Sequence, residues 1–340
     1  MATGIPPRPR TSAAPPRLPE LQSNSRRVDF GAHAAQIAAV TGKTSIEMER
    51  PVAHSPSVAR PSGDQAALRA ACEAGVGLCT IVGIEGSFSR RLGAQLAVRE
   101  DGGIAGSLAD GCLERQLASE VRQASADGRP VVKRFGSGSE LIDFRLPCGS
   151  GLDILIDPAP DREACRAAVA RLDGREAATL PLPTAPGLLG ERRYIPALRL
   201  QLFGEGPELA ALSSLASATG LEVEAFGTEG PQALSLGRAP EGVAADPWTA
   251  IVLLFHDHEW EQAILRWALA TPAFFIGAQG GAKTRDLRLE RLAAEGVEPA
   301  QLARVRSPVG VIAHSREPSV LALSVLAEIV GAYEALHPHG

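Results

Sequence analysis

From Leu198 to the C-terminus, short apolar runs alternate with segments of helical period, and that alternation restricts the fold more than any other feature. LRLQLFG, LEVEAFG, TAIVLLF and AFFIG are strand-like runs. PELAALSSLASATG, EWEQAILRWALA and AKTRDLRLERLAAEG repeat apolar residues every three or four positions, as helices with one buried face do. EPSVLALSVLAEIVGAYEAL closes the chain as a long helix, with Pro318 placed for its first turn. Apolar strands joined through helices build a parallel sheet covered on both faces. This half reads as Rossmann-like.

The half before it centres on Cys79–Glu114. CTIVGI reads as a buried strand, GSFSRRLG as a glycine-bounded loop carrying Arg90 and Arg91, and AQLAV as a second strand. Asp101-Gly102-Gly103 is hairpin chemistry, because glycine takes the positive φ that other residues resist. IAGS follows as a third strand, and Asp110 can cap a helix with Leu113, Leu117 and Val121 on one face. Cys112 then falls in the first turn, where free N–H groups and the helix dipole favour anions and lower a thiol's pKa. Further strands are expected at VVKRFG, Glu140–Leu146 and LDILID, and a helix at DREACRAAVARL. LPLPTAPGLLGERRYIP reads as an irregular connection with strand pieces.

The expected class is therefore α/β, with a small N-terminal αβ domain at 63–190 and a Rossmann-like parallel-sheet domain at 197–340. Residues 1–62, rich in Pro, Arg, Ser and Ala, read as a disordered extension. A length of 340 residues fits two domains plus extras. The net charge of −5 argues against nucleic acid as a partner. No apolar run approaches the ~20 residues of a membrane span, and the N-terminus lacks an apolar secretory core. Five cysteines at scattered spacings form neither a zinc set nor a disulfide framework, which fits a reducing cytoplasm.

Four constellations carry chemistry. Cys112 and Cys148 each sit among glycines, in Asp-Gly-Cys-Leu-Glu and Pro-Cys-Gly-Ser-Gly, where backbone N–H groups can approach an anion closely. Cys72, Cys79 and Cys165 lie on apolar faces and read as small core residues. Arg90 and Arg91, paired on one loop, suit a phosphate or oxo-anion through forked hydrogen bonds. Gly204-Glu205-Gly206 stands where a dinucleotide fingerprint belongs, but its third glycine is Leu209, and Phe226-Gly227 replaces the ribose-binding acid. His256-Asp257-His258 ends a strand; alternation points Asp257 away from both histidines, so a polar loop that caps the next helix competes with a metal site there.

At these residues the chain resembles the XdhC/CoxI family of molybdenum-enzyme maturation factors, from Gly63 onward. Glu85-Gly86-Ser87, Arg90-Arg91, Gly93-Ala94, Gly106-Ser107, Gly111-Cys112-Leu113-Glu114 and Cys148-Gly149 follow the order and spacing of the family's N-terminal domain. His256-Asp257-His258, Phe275-Ile276-Gly277, Ser307-Pro308-Val309-Gly310 and Ala322–Val330 follow its Rossmann domain. Asp110 stands where the family has a second glycine, Ser89 and Leu92 where it has prolines, and Ser150 where it has another glycine. The resemblance implies a chaperone rather than a catalyst. Such a protein holds the molybdenum cofactor, presents it to a cysteine desulfurase for sulfuration and delivers it to a xanthine-dehydrogenase-type apoenzyme, as a cytoplasmic homodimer. It implies Cys112 and Cys148 as cargo contacts, Arg90 and Arg91 as a phosphate clamp, and Ser107, Gly111 and Gly149 beside them. Two other readings remain, an NAD(P)-dependent oxidoreductase built on the second half and a cargo-free interaction scaffold.

Overall fold

The computed structural model describes residues 63–109, 111–139, 149–230 and 233–338. The extension expected at residues 1–62, the strand expected at Glu140–Leu146, the cap Asp110 and Cys148 lie outside them.

The first half is a five-stranded antiparallel sheet in the order β3-β2-β1-β5-β4. Its strands are β1 (Val76–Glu85), β2 (Gln95–Arg99), β3 (Ile104–Gly106), β4 (Val131–Gly136) and β5 (Gly151–Asp157). Alternation along β1 sends Cys79 and Ile81 to one face, under Leu113, Leu117 and Val121 of helix α2 (Gly111–Asp127). Val76 and Leu78 face the other way, toward α1 (Gly63–Ala70) and α3 (Arg162–Asp173). Cys79 and Cys165 are fully buried, and burial pushes the Cys165 thiol up to about 12.

The connection after α3 is more regular than its sequence implies. β6 (Ala178–Pro181) and β7 (Glu191–Tyr194) pair as an antiparallel hairpin. This hairpin is stitched to the sheet: Leu189 N–H donates to the Val82 carbonyl over 2.9 Å, and Tyr194 Oη donates to Gln95 Oε1 over 2.7 Å. Gln95 in turn donates to Thr80 Oγ1 over 3.0 Å. Each of these three side chains is buried, so the chain of hydrogen bonds offsets the cost of taking polar groups out of water.

The second half is a five-stranded parallel sheet, β12-β11-β10-β8-β9. β8 (Arg199–Gly204), β9 (Glu222–Phe226), β10 (Thr249–Leu254), β11 (Phe275–Ala278) and β12 (Val305–Arg306) are flanked by helices α4 (Gly206–Ala218), α5 (Glu261–Leu269), α6 (Ala282–Ala294), the short α7 (Pro299–Leu302) and α8 (Pro318–Glu334). Every residue of β10 is buried, as expected for a central strand covered on both faces. The chain runs from β8 outward to β9 and then crosses to β10 on the other side. That reversal opens a crevice at the carboxyl ends of β8 and β10.

A half-buried clasp joins the halves. Arg175, beyond the end of α3, donates from Nε and Nη2 to the two Asp246 carboxylate oxygens over 2.7 and 3.1 Å, and from Nη1 to the Ala197 carbonyl over 2.7 Å. Burial alone would push the Asp246 carboxyl up. The Arg175 guanidinium, the Trp248 N–H and the Thr249 hydroxyl together outweigh it and hold the group below the ordinary carboxylate value. A carboxyl depressed in the folded state adds stability that is complete above its unfolded pKa of roughly 3.9 and is lost as pH falls through the folded value. In acid titrations of unfolding free energy, wild type is therefore expected to lose stability below about pH 4 more steeply than Asp246→Asn. Parallel acid limbs would remove Asp246 from that role.

Candidate functional site

Strand direction gathers the sequence-predicted residues at one end of the antiparallel sheet. β1, β3 and β4 end there, while β2 and β5 begin there. The loop with Arg90 and Arg91 (between β1 and β2), Ser107 with the start of α2, and Gly149 just before β5 therefore share one rim. The Ser150 hydroxyl donates to the Ser87 carbonyl, which ties the Gly149 turn to the arginine loop. Gly93 closes that loop at φ +82°, and a Cβ there would lie 2.6 Å from Arg192 Cδ. Arg192 is buried and donates from Nε to the Gly93 carbonyl over 2.6 Å, with its guanidinium 4.7 Å above the Tyr194 ring. The far hairpin thus fixes the loop from beneath.

The rim is wired to helix α2 through a residue that sequence spacing does not single out for this task. Glu114, in the first turn, folds back so that Oε1 accepts from the Ser107 hydroxyl over 3.2 Å and from the Leu108 and Ala109 N–H groups over 3.2 and 3.4 Å. With its proton committed to Glu114, the Ser107 oxygen accepts from Arg90 Nη2 over 3.1 Å. Arg134, also inconspicuous in the sequence, pairs with Asp153 over 2.8 Å and with Glu85, bracing the ends of β1, β4 and β5.

Arg90, Arg91 and Ser107 line a cleft of about 550 Å³ whose other walls include Tyr194, Glu222 and Tyr333. Cys112 and Gly111 are exposed in the first turn of α2 and do not line it. Helical phase explains the difference: Leu113 and Leu117 take the buried face, which turns Cys112 and Arg115 outward. Arg115 Nη2 lies 3.2 Å from Cys112 Sγ, so the exposed sulfur carries a guanidinium neighbour. Arg91 reaches across the cleft to Glu334 of α8, with Nη2 and Oε2 3.0 Å apart.

At the crevice of the parallel sheet, Gly206 opens α4 at φ +74°. Gly204 packs against β10 so closely that a Cβ would lie 2.5 Å from the Leu254 carbonyl oxygen. Glu205 accepts from Thr228 Oγ1 over 3.2 Å, and Glu208 lies 3.4 Å from His256 Nε2. Two carboxylates thus stand where a pyrophosphate would need donors. Asp257 accepts from the Glu259 N–H over 3.0 Å, shaping the turn ahead of α5. His258 Nδ1 lies 3.1 Å from Glu261, whose buried carboxylate is paired with Arg288. Among the described residues no group of three or more His, Cys, Asp or Glu side chains is placed to hold a metal ion.

Comparison with known proteins agrees with this layout. Residues 70–136 match the XdhC and CoxI family, and residues 200–329 match the XdhC Rossmann domain. A 34% identical relative, the molybdenum cofactor insertion chaperone PaoD of Escherichia coli (strain K12), aligns over 270 residues, 75% of this chain and 82% of that protein. The chain belongs to the XdhC and CoxI family. A second relative, a probable xanthine dehydrogenase subunit of Bacillus subtilis (strain 168), is 26% identical over 310 residues, 74% of this chain and 92% of that protein. The crystal structure of a xanthine dehydrogenase from Bacillus halodurans shares the fold, with a TM-score of 0.63 at 19% identity over 82% of this chain and 97% of that one. Within the XdhC/CoxI match lie Arg90, Arg91, Ser107, Gly111, Cys112 and Glu114; the hairpin carrying Arg192 falls between the two matched segments. No helix among the described residues is long and apolar enough to cross a membrane.

Proposed function

We propose that this chain binds the molybdenum cofactor as cargo at the rim of its antiparallel sheet and delivers it to a xanthine-dehydrogenase-type molybdenum hydroxylase. The observation that carries the reading is the Arg90–Ser107–Glu114 chain, which holds a guanidinium at the edge of a cleft and links it to the helix that presents Cys112. Arg90 and Arg91 take the cofactor's phosphate by forked, charge-assisted hydrogen bonds. Ser107 and the backbone N–H groups of Gly111 and Gly149 serve its remaining oxygens. Cys112, and Cys148 just before Gly149, supply soft sulfur to the molybdenum side and protect a sulfurated form made by a cysteine desulfurase. The two halves act as separate domains, 63–190 and 197–340, of a cytoplasmic homodimer that serves as a maturation chaperone rather than a catalyst.

The oxidoreductase reading is opposed by Glu205 and Glu208 at the nucleotide crevice, whose like charge repels a pyrophosphate. The decisive experiment co-expresses the protein with the cofactor pathway and measures molybdenum per chain and oxidised-pterin fluorescence. Wild type is expected to carry both, and Cys112→Ala to carry less molybdenum. Equal loads in the two proteins remove Cys112 from the site. An empty wild type that still captures the target enzyme's large subunit supports the cargo-free scaffold instead.

A further inference from the structure

We propose that the Arg91–Glu334 pair is a latch across the cleft that the phosphate of an incoming ligand opens; this rests on the anion-binding reading of Arg90 and Arg91 given above. The two halves are joined by contacts of unequal strength. At the Arg175 clasp, one guanidinium makes two bonds to Asp246 and one to the Ala197 carbonyl, and Arg199 extends the network to Glu222 over 2.8 Å. Both members of the Arg175–Asp246 pair are no more than 20% exposed. Arg91 meets Glu334 through a single 3.0 Å contact, and the Glu334 side chain is half exposed. Pairs of the first kind are little screened by water and salt, whereas a pair of the second kind contributes little.

Arg91 is therefore held by a weak competitor. A phosphate offers three acceptor oxygens and more than one negative charge, against one charge on Glu334. It is bonded best when Arg90 and Arg91 act together, and Arg90 already lies on the same cleft, braced by Ser107. Once a phosphate occupies Arg91, Glu334 has lost its arginine, keeps His337 Nε2 at 3.7 Å within its own turn of chain, and faces a like charge. The last turn of α8 then keeps Tyr333, whose Oη donates to the Pro196 carbonyl over 2.6 Å and whose ring packs on Phe274, but has lost its charged tie to Arg91 across the cleft. Ligand arrival thus loosens the end of α8 and widens the cleft while the Arg175 clasp stays shut. In the empty protein Glu334 neutralises Arg91, so anions too weak to displace a carboxylate are turned away.

The test uses the full chain with inorganic pyrophosphate as the probe, titrated calorimetrically at low ionic strength, together with hydrogen exchange of residues 330–338. Glu334→Gln is expected to bind pyrophosphate about two- to fivefold more tightly than wild type, the factor an exposed ion pair is worth. Glu334→Ala repeats the measurement without a side chain able to accept from Arg91. Exchange at the end of α8 is expected to rise in both variants, and in wild type on adding pyrophosphate. In Arg91→Gln, binding is expected to weaken and a further Glu334→Gln change to add nothing. If Arg91→Gln weakens binding but both Glu334 variants match wild type in affinity and exchange, the latch is wrong and the anion site stands. If pyrophosphate does not bind wild type, or binds equally well with Arg90 and Arg91 both changed to Gln, the anion site itself is wrong.

Discussion

Arg288→Ala is expected to lower the unfolding free energy by about 3–5 kcal/mol, the cost of leaving a buried charge without its partner. Arg288 is 4% exposed and donates from Nε and Nη2 to the Glu261 carboxylate over 2.9–3.0 Å. It also donates to Ser307 Oγ over 2.6 Å and to the Gln279 carbonyl over 2.7 Å. One side chain thereby joins α5, α6, the end of β11 and the segment after β12. Burial already pushes the Glu261 carboxyl up, and Arg288 and His258 pull against it. Without the guanidinium, Glu261 must take up a proton or drag water into the core. Urea unfolding is expected to show the full loss for Arg288→Ala, and much of it restored when Glu261→Leu is combined with Arg288→Met, since a packed apolar pair carries no desolvation penalty. A loss below about 1 kcal/mol for the single variant would place the pair among the weakly contributing surface bridges.

Arg90→Ala is expected to cut the cofactor load about ten- to hundredfold, the range set by losing one or two charge-assisted hydrogen bonds. Arg90→Lys retains the charge without the planar fork and is expected to fall between the two. Glu114→Ala leaves Arg90 in place but removes the acceptor that orients the Ser107 hydroxyl, so it is expected to weaken loading less than Arg90→Ala does. Molybdenum and pterin measured per folded chain give the order of the three. An Arg90→Ala protein carrying the wild-type load would take the arginine loop out of the binding site.

Much of this molecule is local and therefore legible in its sequence. The Asp101-Gly102-Gly103 hairpin forms as expected, with Gly102 at φ +84° and the Gly103 N–H on the Asp101 carboxylate. α2 begins at Gly111, which places Cys112 in its first turn, and the parallel half follows from its alternating apolar runs. The β6–β7 hairpin is harder to see, because four-residue strands containing Pro181 and two arginines carry little periodic signal. Contacts distant in the chain leave no spacing to read: Arg91 meets Glu334 across 243 positions, and Arg192 meets Gly93 across 99. For the same reason the sequence groups Cys112 with the two arginines, whereas helical phase sets it outside the cleft they line.

The Arg192–Gly93 contact also bears on the order in which the protein acquires its shape. A chain made from its N-terminus completes every strand of the antiparallel sheet before Arg192 has been added. The contact that closes the Arg90–Arg91 loop at Gly93 therefore depends on a residue added 99 positions later. A fragment ending at Asp173 is thus expected to carry all five strands of the sheet without the guanidinium that holds the Gly93 end of the arginine loop.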